Sequence, residues 1–148
     1  AQEYLAMSKQ NPKLVTHGRD LLSAFLQDTE KLTYANWDEL IHYCMRSAAP
    51  VGRAFLDIAG DTHMDRQAAD YLCIALQILN HVQDISKDFL VLRRVYLPHD
   101  WILQAKVTEE DLSKSYTTAV LKSVIDRTLQ ETHAILVKAA PLMRPIPN

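Results

Sequence analysis

The segment Gln77-Ile-Leu-Asn80-His-Val-Gln-Asp84-Ile-Ser-Lys-Asp88 carries two carboxamides and two carboxylates at successive spacings of three, four and four residues. At ~100° per residue, these four side chains fall within an arc of about 80° on one helix face. Paired carboxylates beside neutral oxygen donors suit a hard divalent cation such as Mg²⁺. That ion takes one or two protein carboxylates and completes its shell with water and substrate phosphate oxygens. Asp84, Asp88 and Asn80 are therefore candidate metal ligands, with Gln77 on the same face, and the pattern points to a site that handles diphosphate. The spacing also fits an ordinary solvated helix face, where such acids are common. Their repulsion costs roughly 0.2–0.5 kcal/mol on an isolated helix, and only Lys87 lies near enough in sequence to offset it.

The opposite arc is apolar. Leu72, Ile74, Ile78, Leu79, Val82, Ile85 and Phe89 form a stripe that is expected to pack into a helical core and leave the acids beside its seam. Only three glycines and a prevailing 3.6-residue period predict an almost wholly helical chain. One long helix is expected over 65–92, after a turn at Gly60-Asp61 in which Asp57, Asp61 and Asp65 serve as capping and turn residues. Upstream, Asn11-Pro12 breaks a first helical piece. A helix over 15–32 then turns Leu21, Leu22, Phe25 and Leu26 inward. Asn36 is the expected N-cap of a helix over 37–59, with Glu39 at the third position. Pro50-Val51-Gly52 inside that helix predicts a kink or a close helix approach. Residues 94–98 are expected to be extended, because the residue before Pro98 avoids the α region. A short helix over 98–105, one capped by Thr108, and a last long one over 117–140 complete the bundle.

With 148 residues and 48% apolar content, the chain can form one helical domain over 1–148 with a real core. A net charge of −2 without a basic tract argues against nucleic acid. Cys44 and Cys73 sit in apolar helical segments, as reduced core thiols of a cytoplasmic protein would. The six histidines form no HExxH or paired Cys/His spacing that would bind zinc. No apolar run approaches the ~20 residues of a membrane span. The opening Ala1-Gln-Glu-Tyr-Leu-Ala-Met and the close at Pro147-Asn148 lead us to expect a piece of a longer chain.

Three segments in order, Tyr43-Cys-Met-Arg-Ser-Ala-Ala-Pro50-Val51-Gly52-Arg53, then Ala75 to Asp88, then Arg94-Val-Tyr96-Leu97-Pro98, resemble the squalene/phytoene synthase family. Ser47 to Arg53, Cys73 and Gln83 are similar to its bacterial hopanoid-pathway, hydroxysqualene-forming branch. The resemblance implies a partial isoprenoid-synthase-type all-α bundle acting on a prenyl diphosphate, farnesyl or presqualene diphosphate, with Mg²⁺ as cofactor. It implies that Asp84 and Asp88 hold Mg²⁺ against diphosphate, beside Asn80 and Gln77. It places Tyr43 near the carbocation and Arg94 and Tyr96 on a strap over the phosphates, Tyr43, Asp84 and Asp88 being the catalytic set. Ser47, Cys44 and Gly52 are read as helix packing. The chain departs from the family where Arg93 replaces a glycine and where Gln83 and Lys87 replace Arg and Glu. The family's first DxxxD motif has no counterpart here. A hydrophobic substrate leaves room for peripheral membrane contact, and a homo-oligomer is compatible with the chain. The competing expectation is a noncatalytic helical interaction or assembly domain of the same fold.

Overall fold

In the computed structural model, Lys9 and residues 12–143 are described, so Asn11 of the expected first break lies outside the described residues. Helix α1 (Lys13–Glu30) leads to a two-residue strand β1 (Thr33–Tyr34), then α2 (Trp37–Ser47) and α3 (Ala49–Ala59). After a turn come α4 (Arg66–Gln83), α5 (Ile85–Leu92) and strand β2 (Val95–Pro98). Helices α6 (His99–Ala105), α7 (Glu109–Ser113) and α8 (Ala119–Lys138) follow, and a 3₁₀ turn at Ala140–Met143 ends the described chain. Among the described residues, the one exception to an all-α fold is the short parallel ladder of β1 and β2, with Thr33 opposite Val95, Tyr34 opposite Pro98 and an irregularity between them.

Local chemistry sets most boundaries. Asn36 Oδ1 accepts the Glu39 amide at 3.0 Å, and the Glu39 carboxylate accepts the amide of Ala35 at 2.6 Å rather than that of Asn36. Asp65 caps α4 by accepting the amides of Gln67 and Ala68, and Asp61 accepts those of His63 and Met64. Gly60 closes α3 at φ +67°, a conformation that costs glycine little. Thr108 and Asp111 form a reciprocal capping box.

Two apolar clusters hold the bundle. One contains Tyr34, Leu40, Tyr43, Ile74 and Ile78, and the other Phe89, Leu97, Trp101, Leu121 and Val124. Trp37 packs on both and stacks on Trp101 at 5.4 Å. No described helix is long and apolar enough to cross a membrane.

Five expectations are corrected. The helix expected over 65–92 breaks at Asp84 (φ −99°, ψ 12°), which lets one apolar stripe serve both clusters: Ile74 and Ile78 face the first, Ile85 and Phe89 the second. Leu79 leaves that stripe and is 37% exposed. The helix over 37–59 breaks at Ala48, since Pro50 has no amide hydrogen to continue the ladder and suits a helix start. On α1 the inward side is Leu14, His17 and Ala24, while Leu22, Phe25 and Leu26 are exposed. Its inner side also makes polar contacts, through His17, Gln27 and Asp28. Asp57 is no capping residue: its carboxylate is 3% exposed and is gripped by His17, Arg66 and Lys13.

Candidate active site

Asn80 and Gln77 lie on the last two turns of α4, Asp84 at the break, and Asp88 in the first turn of α5. The break preserves the backbone path: the Asp84 amide donates to Asn80 O at 2.9 Å and the Asp88 amide to Asp84 O at 2.8 Å. The two carboxylates therefore remain one turn apart. Asn80 is exposed and Gln77 half-buried. Asp84 pairs with Lys87 at 3.6 Å on the surface, a contact of little energetic weight. Asp88 makes no side-chain hydrogen bond or ion pair among the described residues. Burial, and next the charge of Asp84, push its carboxyl above the ordinary range, against the pull of Lys87 and Arg94.

A second group of side chains stands beside these acids. The Tyr43 hydroxyl donates to Asp28 Oδ2 at 2.9 Å. Arg94 donates from Nη2 to the Asp28 carbonyl at 2.6 Å and from Nη1 to the Tyr96 hydroxyl at 3.3 Å. Its guanidinium also lies 4.0 Å from Asp28 Oδ2. Asp28 Oδ1 and Arg94 Nε are buried and unpartnered among the described residues. Tyr34, Tyr43, His81 and Tyr96 pack as one aromatic group, with His81 on Tyr96 at 3.6 Å and Tyr43 on Tyr96 at 5.7 Å. Burial raises the pKa of Tyr43, so the group is a phenol and a hydrogen-bond donor at neutral pH, not a phenolate base. Burial lowers His81 to about 4, so its ring is neutral there.

The predicted residues thus fall into two adjoining sets. Asp84, Asp88, Asn80 and Gln77 share a partly open face, while Tyr43, Arg94 and Tyr96 are tied together through Asp28. Asp28, which sequence reasoning missed, joins the sets electrostatically, because its charge is felt at both Asp88 and Arg94. It lies 15 residues before Tyr43, and no local pattern marks it. His81 was also missed, although its position four residues after Gln77 and three before Asp84 was a usable signal.

No group of three or more His, Cys, Asp or Glu side chains among the described residues is close enough to cage a metal ion. The two carboxylates nevertheless fit a cation that brings water and phosphate oxygens of its own. A half-buried Asp88 without a bonded partner among the described residues, beside a second acid, is the observation that favours one. The arrangement offers two carboxylates suited to a cation, a neutral phenol and a guanidinium beside a buried aromatic cluster.

The chain matches the squalene/phytoene synthase family over residues 3–148. It is 44% identical over 126 residues to the hydroxysqualene synthase of Rhodopseudomonas palustris, covering 85% of this chain and 43% of that protein. Identity to the hydroxysqualene synthase of Zymomonas mobilis is 36% over 126 residues, 85% and 42% of the respective chains. The chain spans less than half the length of these relatives. In structure it is similar to squalene synthase HpnC from Alicyclobacillus acidocaldarius, with a TM-score of 0.77 and 33% identity over 89% of this chain and 50% of that one. A dehydrosqualene synthase crystallised with ligand, 20% identical, has the same fold at a TM-score of 0.74, over 86% of this chain and 46% of that one. The all-α architecture is thus of the isoprenoid-synthase type, and the chain belongs to the squalene/phytoene synthase family.

Proposed function

We propose that this chain is part of a Mg²⁺-dependent prenyl diphosphate synthase of the hydroxysqualene-forming kind, acting on farnesyl or presqualene diphosphate. The observation that carries this reading is the Asp88 carboxylate, without a bonded partner among the described residues, one turn from Asp84 and beside the Tyr43–Asp28–Arg94 network. The names of its relatives favour the same class. Asp84 and Asp88, with Asn80, would hold Mg²⁺, which supplies positive charge to offset the charge developing on departing diphosphate. Gln77 faces the same ligand. Arg94 presents a guanidinium suited to phosphate oxygens, and its bonds to Asp28 and Tyr96 hold it in the link between α5 and β2. Tyr43 would stand near the cation left behind, where its neutral phenol cannot capture it as a phenolate would. Joining two farnesyl units gives presqualene diphosphate, and water capture of the later cation gives hydroxysqualene.

The test is diphosphate release from farnesyl and presqualene diphosphates by the full-length protein, with product identification and with or without a chelator. Asp84→Asn is expected to lower kcat/KM at least ~100-fold, the scale of removing one strong electrostatic contribution, with an unchanged circular dichroism spectrum. Metal-independent turnover, or an Asp84→Asn protein of wild-type activity, would overturn the assignment, whereas no diphosphate release by the folded wild type would favour a noncatalytic assembly role.

A further inference from the structure

His81 is a buried histidine that the chemistry above leaves unused. It is 8% exposed, its ring lies 3.6 Å from that of Tyr96 at an interplanar angle of 13°, and Tyr43 flanks it at 6.1 Å. This packing prevents the ring from turning. Its Nε2 lies 3.2 Å from Gln77 Nε2, one helical turn back on α4. A carboxamide nitrogen has hydrogens and no lone pair to offer. A ring nitrogen facing it at this distance is the unprotonated acceptor. Once the amide NH₂ is committed to the ring, Gln77 Oε1 is left to the face shared with Asn80 and Asp84. A carboxamide without such a partner rotates freely and offers either end.

We propose that His81 is a positioning residue that holds the Gln77 carboxamide with its oxygen toward the ligand, where that oxygen accepts a hydrogen bond from the water that captures the carbocation. The proposal rests on the function proposed above. In that step the carbon–oxygen bond to diphosphate breaks with its electron pair leaving on the phosphate oxygen. A lone pair of the held water forms the new carbon–oxygen bond, and the surplus proton passes to the departed diphosphate. Gln77 Oε1 orients the water, and no oxidant or reductant is consumed.

The quantity to measure is hydroxysqualene formed per diphosphate released from presqualene diphosphate by the full-length protein. His81→Phe keeps a flat ring between Tyr43 and Tyr96 but removes the acceptor, and is expected to lower that ratio at least threefold in favour of products lacking the added oxygen. Gln77→Leu, which leaves His81 in place, is expected to lower it similarly. Gln77→Glu carries oxygen at both ends, so adding it to His81→Phe should restore the ratio to within twofold of wild type. An unchanged ratio in Gln77→Leu overturns the inference, even if His81→Phe fails to fold. A lowered ratio in His81→Phe that Gln77→Glu does not restore overturns it as well, since His81 would then act through packing alone. Absence of diphosphate release by the wild type would instead overturn the underlying function, which separates the two failures.

Discussion

Asp88 is held in the folded chain at a cost to its charged form. Its carboxyl is raised by burial and by Asp84, so folding favours the protonated acid. A carboxyl raised in this way contributes stability that is fully present below its unfolded value, ~3.9 for aspartate, and that is lost as pH rises through the folded value. At pH 7 the ionised group therefore opposes folding. Asp88→Asn should raise stability by about 0.5 kcal/mol, a figure kept small because water still reaches the group. For a chain of this size that is about 1–2 °C in Tm. The gain should shrink as pH is lowered toward 4. Thermal melts of both proteins across this range check the sign, and a variant that melts lower than wild type at pH 7 would show that Asp88 is compensated after all. Mg²⁺ with inorganic diphosphate should raise the Tm of wild type by mass action and leave that of Asp88→Asn nearly unmoved. The same substitution is expected to abolish turnover, as follows when a site stores unfavourable charge for its ligand.

Helix packing sets a second constraint at Gly52. A Cβ there would sit 2.7 Å from Cys73 Sγ, while its other neighbours, the carbonyl oxygen and Cβ of Ala69, would lie at 3.5 and 3.8 Å. Gly52→Ala should thus cost about 1–3 kcal/mol as overpacking between α3 and α4. In a Cys73→Ala background the remaining contacts are ordinary, and the same change should be neutral or stabilise by up to ~1 kcal/mol through helix propensity. A urea-melt double-mutant cycle reads the coupling, and additive effects would refute it. Gly52 was legible because proline and glycine inside an apolar helix leave few alternatives, and the caps at Asn36, Asp65 and Thr108 were legible because each acts within three residues. What escaped was set by distant partners. Asp57 looks like a turn residue until His17, 40 positions away, is brought to it. Asp28 gains its meaning from Tyr43, and from Arg94 at a separation of 66. The break at Asp84 follows from serving two clusters at once, and the period of an isolated helix carries no sign of that. The acids were legible as candidates because their pattern is local; of the network beside them, the resemblance named Tyr43, Arg94 and Tyr96, and nothing local marked Asp28.

On the scale of the whole molecule, the described bundle leaves apolar stripes uncovered. Leu22, Phe25 and Leu26 of α1 are 55–68% exposed, and Val51, Phe55 and Ile58 of α3 are 54–75% exposed. Each trio has the spacing of a single helix face, and isolated surface leucines do not fall into such a pattern by chance. Against relatives more than twice as long as the matched span, these are the faces that further chain would cover. The 148-residue polypeptide on its own is therefore expected to associate with itself in a concentration-dependent way. Sedimentation velocity across a dilution series would show this as a weight-average mass rising above the 16.9 kDa monomer. The pair Phe25→Ser and Phe55→Ser should return it to monomer. Because both side chains are more than half exposed, the pair should change stability by no more than ~0.5 kcal/mol per site. If association persisted in that variant, the interface would lie elsewhere. If the wild-type polypeptide stayed monomeric at every concentration, the exposed stripes would not be sticky enough to need a cover. Association lost with the fold intact would tie both stripes to contacts outside the described bundle.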